Sequence, residues 1–194
     1  MQTDAFRGVT IWLTGLPSAG KTTLAHLLGN KMREKGITRL EILDGDVIRM
    51  NLCKDLGFSR DDRMTNIRRI AFVSQLLTRH GVIVIVAAIS PYRESRDHAR
   101  QEIKDFVEVF VKCPMDVLIE RDVKGHYKKA LAGNLPHFTG VSDPYEEPLQ
   151  PEILVETDKE TPEASAAKIL DFLKKMGYLP DSFSTRYEKR KSAS

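Results

Sequence analysis

Short apolar bursts alternate along this chain with segments of helical spacing. Val9-Thr10-Ile11-Trp12-Leu13 is largely β-branched and runs into a glycine-rich turn. Leu24, Leu27 and Leu28 then recur at helical spacing, and Gly36 is a helix stop. Leu40-Glu41-Ile42-Leu43 predicts a second strand ending at Asp44. Ser59 and Asp62 have capping-box spacing, and the helix they open carries Ile67, Ile70, Ala71, Ser74 and Leu77 before His80-Gly81. Residues 82–89 are apolar without a break, the pattern of a strand buried on both faces in a parallel sheet. A helical pattern then reaches about Phe106, and a strand follows over 107–112. Ile153-Leu154-Val155 predicts the last strand, and residues 164–175 a closing helix stopped by Gly177. Strands separated by helices of this length predict an α/β fold, a parallel sheet with helices on both faces. Residues 121–150, rich in Gly, Lys and Pro, break the pattern and read as a long functional loop or lid.

The chain has 194 residues, enough for one domain over 1–183. Its net charge of +3 resides in residues 184–194, a basic C-terminal tail, so the rest is balanced. A nucleic-acid binder spreads basic charge over a face of the fold, so composition argues against nucleic acid as a partner. The longest apolar run is too short for a membrane span, and the first residues carry no secretion signal. Cys53 and Cys113 match no metal or redox spacing. The expectation is a reduced, cytoplasmic protein.

Gly15-Leu16-Pro17-Ser18-Ala19-Gly20-Lys21-Thr22 satisfies G-x-x-x-x-G-K-[ST] in full. Glycines let backbone N–H groups approach phosphate oxygens, and the helix that follows adds its positive end. Lys21 suits the β and γ phosphates, and the Thr22 hydroxyl suits Mg²⁺. A chance match in a chain of this length is on the order of one percent. The expectation is a P-loop NTPase-type sheet that binds a nucleoside triphosphate over residues 15–23, Thr23 included. No guanine-reading Asn-Lys-x-Asp is present, which argues against a GTPase and leaves small-molecule kinases.

Ligands of open α/β sheets bind beyond the C-terminal strand ends. There stand Asp44-Gly45-Asp46 and Ser90-Pro91-Tyr92-Arg93. One aspartate suits the Mg²⁺ water shell and the other the proton of an attacking hydroxyl, although Asp46 also fits the cap of a helix beginning Val47-Ile48-Arg49. Arg49, Arg63, Arg68 and Arg69 gather within a short span, with Asn66 on the face of Arg63. They suit an anionic substrate. Phe58 and Phe138 read either as packing residues or as two rings sandwiching a flat base.

These segments together resemble the adenylyl-sulfate kinase family over residues 8–180. The resemblance rests on the P-loop with Thr23, Leu43-Asp44-Gly45-Asp46-Val47-Ile48-Arg49, Gly57-Phe58-Ser59-Arg60-Asp61-Asp62-Arg63 and Asn66-Ile67-Arg68-Arg69. Ile89-Ser90-Pro91-Tyr92-Arg93, Arg121-Asp122-Val123-Lys124-Gly125 and Phe138-Thr139-Gly140-Val141-Ser142-Asp143-Pro144-Tyr145-Glu146 complete it. It implies ATP-dependent phosphorylation of the 3′-hydroxyl of adenosine 5′-phosphosulfate, with Mg²⁺, in sulfate activation. Arg49, Arg63 and Asn66 would hold phosphosulfate and ribose. Phe58 and Phe138 would sandwich adenine, and Ile89 and Ser90 would border the site. Asp46 would be the base, with Asp44 its fallback or the Mg²⁺-water ligand, and Lys124 would close from the lid. Ser90 matches a phosphoserine position of bacterial members, and the resemblance implies a homodimer. Two departures are Pro17-Ser18 in the loop and His126 where Leu is usual. The alternatives are a P-loop kinase for another small anionic metabolite or nucleotide, and a non-catalytic nucleotide-dependent module.

Overall fold

A computed structural model of the chain describes residues 7–122, 124–180 and 183; the expected basic tail lies outside the described residues. The elements run β1 (Val9–Thr14), α1 (Lys21–Glu34), β2 (Leu40–Asp44), α2 (Gly45–Asn51), α3 (Arg60–Thr78) and β3 (Ile83–Ala87). They continue with α4 (Arg93–Glu102), β4 (Phe106–Lys112), α5 (Met115–Arg121), α6 (His126–Leu131), β5 (Ile153–Glu156) and α7 (Pro162–Lys175). The strands form one parallel sheet in the order β2-β3-β1-β4-β5.

The unbroken apolar strands arise because both faces are covered. Val9, Ile11 and Leu13 of β1 pack with Ile83, Ile85, Val107 and Val109 into a core closed by Leu24 and Leu28 of α1 and Ile169 and Leu173 of α7. Trp12, Val84, Val86 and Phe106 point the other way, against Ile67 and Ile70 of α3 and Ala99 of α4. A side chain that alternates face at each residue needs an apolar partner on both sides, so no polar position survives in β3.

The Ser59 capping box forms as its spacing predicts, with both reciprocal bonds present. Three boundaries differ from the sequence expectation. The central strand is Ile83–Ala87 rather than 82–89, because the chain turns at Ser90, whose φ is 48°. The helix expected to reach Phe106 stops at Glu102, and Phe106 begins β4, its ring 5.6 Å from Trp12. The segment 121–150 holds a helix: Asp122 accepts from the N–H groups of Tyr127 and Lys128, starting α6, and Tyr127 is fully buried.

Topology places the site. Ala87 of β3 pairs with Leu13 of β1 on one side and Asp44 of β2 on the other, so the P-loop, the turn after β3 and Asp44 leave the sheet side by side.

Candidate active site

The P-loop is held by its backbone. Gly15 has φ 154°, and a Cβ there would come within 2.3 Å of the Val111 carbonyl oxygen. Gly20 has φ 96° and Ser18 φ 62°, so the loop's shape departs from ordinary backbone three times within six residues. Leu16 packs on the core and Ala19 is buried, while Pro17, Ser18, Gly20, Lys21, Thr22 and Thr23 line an open cavity of about 570 Å³. Gly15, Leu16 and Ala19 therefore shape the loop rather than line the cavity.

Lys21 is buried, and its ammonium donates to the carbonyls of Gly15 (2.8 Å) and Leu16 (2.7 Å). Burial pushes it down to about 7, against the pull of Asp46 and Asp44. Thr22 Oγ1 donates to Asp44 Oδ2 at 2.7 Å, while Asp44 Oδ1 accepts from the Asp46 N–H at 2.9 Å. Asp44, not Asp46, therefore caps α2. Asp46, two residues on in the first turn of α2, is free of that duty, and its Oδ2 lies 2.5 Å from Lys124 Nζ. This pair raises the lysine's pKa.

The substrate and catalytic residues that the resemblance implied line one cavity: Asp44, Asp46, Arg49, Phe58, Arg63, Asn66, Ile89, Ser90, Lys124 and Phe138. Arg68 and Arg69 do not. Arg69 is drawn off by Asp55 in a two-pronged ion pair, and Arg68 faces a separate shallow hollow with Arg60 and Glu94. The arginines that do line the cavity spend donors on the protein. Arg49 donates to the carbonyls of Leu56 and Gly57, with its guanidinium 4.4 Å from the Phe58 ring. Arg63 donates to the carbonyls of Phe58 and His137 and to Asp143, so it ties together the segments bearing both phenylalanines. Phe58 is 54% exposed, a ring standing in the cavity, whereas Phe138 is 9% exposed and packs edge-on against Tyr127 at 5.0 Å. Asn66 Oδ1 is buried without a protein partner, an acceptor left for a ligand.

Ser90 is 1% exposed, and its hydroxyl accepts from Trp12 Nε1 at 3.0 Å. The serine thus anchors a strained turn. Sequence reasoning missed three further supports of the site. Tyr127 OH donates to the Pro17 carbonyl, Thr157 Oγ1 to that of Ala19, and Thr14 Oγ1 to that of Ile89. Only Tyr127 left a local signal, a lone large aromatic amid Lys124-Gly125-His126 and Lys128-Lys129.

An all-oxygen pair, the Thr22 hydroxyl and Asp44 carboxylate, has the hard-donor chemistry of Mg²⁺. No cluster of three His, Cys, Asp or Glu able to hold a metal occurs among the described residues. A cation here would draw its remaining ligands from phosphate and water.

A parallel sheet in this order, with a full P-loop opening α1 and an aspartate pair beside it, defines a P-loop kinase. Comparison with known proteins narrows the class. The family model described as adenylylsulphate kinase matches residues 7–156, so the chain belongs to the adenylylsulphate kinase family. The adenylyl-sulfate kinase of Rippkaea orientalis is 62% identical over 173 residues, covering 89% of this chain and 95% of that one. The APS kinase CysC of Mycobacterium tuberculosis, solved in complex with AMPPNP and APS, superimposes with TM-score 0.82 at 43% identity over 87% of this chain and 98% of that one. The hexameric APS kinase of Thiobacillus denitrificans matches with TM-score 0.70 at 33% identity, over 92% of this chain and 31% of its own.

Proposed function

We propose that this chain transfers the γ-phosphoryl group of ATP to the 3′-hydroxyl of adenosine 5′-phosphosulfate, releasing ADP and 3′-phosphoadenosine 5′-phosphosulfate. The observation that carries the reading is one cavity joining the P-loop to the Phe58–Phe138 pair, with Asp46 between them in the chain of contacts. The triphosphate belongs on the loop, the second nucleotide's base between the rings, and its anionic end near Arg49, Arg63 and Asn66.

In this reading Asp46 accepts the proton of the 3′-hydroxyl as its oxygen bonds to the γ-phosphorus and the bond to the ADP oxygen breaks. The aspartate qualifies because Asp44 has taken the capping role and the Thr22 hydroxyl, leaving the Asp46 carboxylate paired with the exposed Lys124 among the described residues. Thr22 and Asp44 would hold Mg²⁺, which when bound neutralises phosphate charge. Lys21 leaves the loop carbonyls for the phosphates, whose negative charge favours its protonated form. Lys124 follows the departing charge from the lid and helps exclude water. No covalent serine step enters, since the Ser90 hydroxyl is buried against Trp12. A homodimer, as the resemblance implies, working in the cytoplasm, as the cysteine usage led us to expect, completes the proposal; among the described residues no helix is long and apolar enough to cross a membrane.

The test is ADP release from Mg²⁺-ATP with and without adenosine 5′-phosphosulfate, with the product's phosphate position read by ³¹P NMR. Acceptor-dependent ADP with a 3′-phosphorylated product is the expected result. ATP binding without acceptor-dependent release would overturn the substrate assignment.

A further inference from the structure

The turn after β3 borders the acceptor side of the cavity, and its backbone is strained. Ser90 sits at φ 48°, a left-handed region that strains a non-glycine residue and persists only where surroundings enforce it. The enforcement comes from four directions. Thr14 Oγ1 donates to the Ile89 carbonyl at 2.7 Å, and Trp12 Nε1 to the Ser90 hydroxyl at 3.0 Å. Arg96 Nη1 donates to the Ser90 carbonyl at 2.5 Å, and Pro91 O accepts from the Glu146 N–H at 2.8 Å.

Arg96 is the member that joins these. It is 2% exposed and does not line the cavity. Its three nitrogens go to three places: Nη1 to Ser90 O, Nη2 to Glu146 O at 2.6 Å, and Nε to Glu108 Oε1 at 2.8 Å. One rigid fork therefore sets the distance between the cavity wall and the strand of chain that ends the lid, and pins both to β4. Nearby, Arg93 binds the same strand, its N–H to Glu146 Oε2 and its Nε to the Glu147 carbonyl, and Tyr145 OH meets Thr14 Oγ1 at 3.0 Å. A buried guanidinium is retained at a desolvation cost, which Glu108 offsets. A lysine carries the same charge but no planar fork.

We propose that Arg96 is a positioning residue for the phosphoryl acceptor: through the Ser90 and Glu146 carbonyls it fixes the wall against which the acceptor nucleotide lies and the fixed end from which the lid closes. The inference rests on the acceptor reading given above. It separates the two substrates, because the triphosphate side is held by the P-loop and shares no hydrogen bond with Arg96. A wall displaced by about 1 Å costs up to about a hundredfold in reaction rate.

The experiment is steady-state kinetics of Arg96→Met, Arg96→Lys and Thr14→Val with each substrate varied, alongside thermal unfolding. Arg96→Met leaves Glu108 its second cation, Arg100 at 3.4 Å. It is expected to raise the KM for adenosine 5′-phosphosulfate at least tenfold while the KM for ATP stays within twofold. Arg96→Lys is expected to recover part of that loss, reaching one carbonyl but not both. Thr14→Val removes a different fastening of the same wall, so it should show the same split on a smaller scale, and it decides the matter if Arg96→Met does not fold. Equal rises in both KM values, or wild-type kinetics in a merely less stable protein, would overturn the role. A wild-type protein without acceptor-dependent ADP release would take down the acceptor reading and this inference together, before any variant is made.

Discussion

Lys124, between α5 and α6, and Asp46 of α2, 78 positions apart in the chain, meet at 2.5 Å in the wall of the cavity. Their side chains are 62% and 76% exposed, so solvent screens the pair and it contributes little to stability, within about 1 kcal/mol. Its value is positional. Lys124→Ala is expected to leave the melting temperature within about 4 °C and to lower kcat about ten- to a hundredfold. Lys124→Arg should retain more activity than Ala. A variant that lost melting temperature in proportion to activity would show the pair to be structural instead.

The two aspartates differ by what they hold. Asp44 caps α2 and accepts from Thr22, whereas the Asp46 carboxylate pairs with Lys124 among the described residues. Asp46→Asn is expected to cut kcat by about 10²–10⁴, the worth of a positioned general base, with nucleotide affinity nearly unchanged. Asp44→Asn keeps a capping oxygen, so the helix survives and the loss should appear as a higher Mg²⁺ requirement. Stopped-flow measurement of the chemical step at several Mg²⁺ concentrations separates them. If Asp46→Asn retained near-wild-type kcat, the base would have to be sought elsewhere.

What the sequence disclosed is what local spacing encodes. The P-loop, the Ser59 cap and the doubly buried β3 each occupy a few consecutive residues; the cap formed as read, and β3 formed buried on both faces but three residues shorter than its apolar run. Helix α5 left almost no trace because Leu118 alone of its residues is buried. The helix extended to Phe106 because apolar periodicity cannot tell a helix end from a strand start, and Trp12 decides that boundary from β1. Arginine spacing placed Arg68 and Arg69 with Arg49 and Arg63, yet α3 turns the first to a separate hollow and Asp55 captures the second. Arg96, Thr157 and Thr14 act through carbonyls many positions away, and no local pattern carries such pairings.

Lys21 gives a pH signature. Burial holds it near pKa 7 without nucleotide, against an ordinary value of 10.5. Between these values the unfolded chain holds the proton more firmly, so this group makes stability rise as pH increases from about 7 toward 10.5. Bound triphosphate reverses the cause by supplying negative charge. ATP binding at pH 8 should therefore take up close to one proton at Lys21, and none there at pH 6, where the lysine is already charged. Calorimetry in buffers of different ionisation enthalpy measures this directly. Zero uptake at pH 8 would mean that Lys21 is protonated in the free protein.

Ser90 supplies the remaining prediction. Its hydroxyl is the acceptor for the fully buried Trp12 indole, and removing it strands that N–H. A stranded buried donor costs about 1–3 kcal/mol. At about 2–4 °C per kcal/mol for a chain of this size, Ser90→Ala should lower the melting temperature by several degrees. In-line transfer from ATP uses no serine ester, so kcat should fall by no more than about tenfold, an effect of the loosened wall. Incubation of the wild-type protein with γ-labelled ATP and no acceptor should leave no acid-stable label on the chain. A thousandfold loss of kcat in Ser90→Ala, or labelled phosphoserine at this position, would instead make Ser90 a covalent carrier and require the turn to open so that Trp12 releases it.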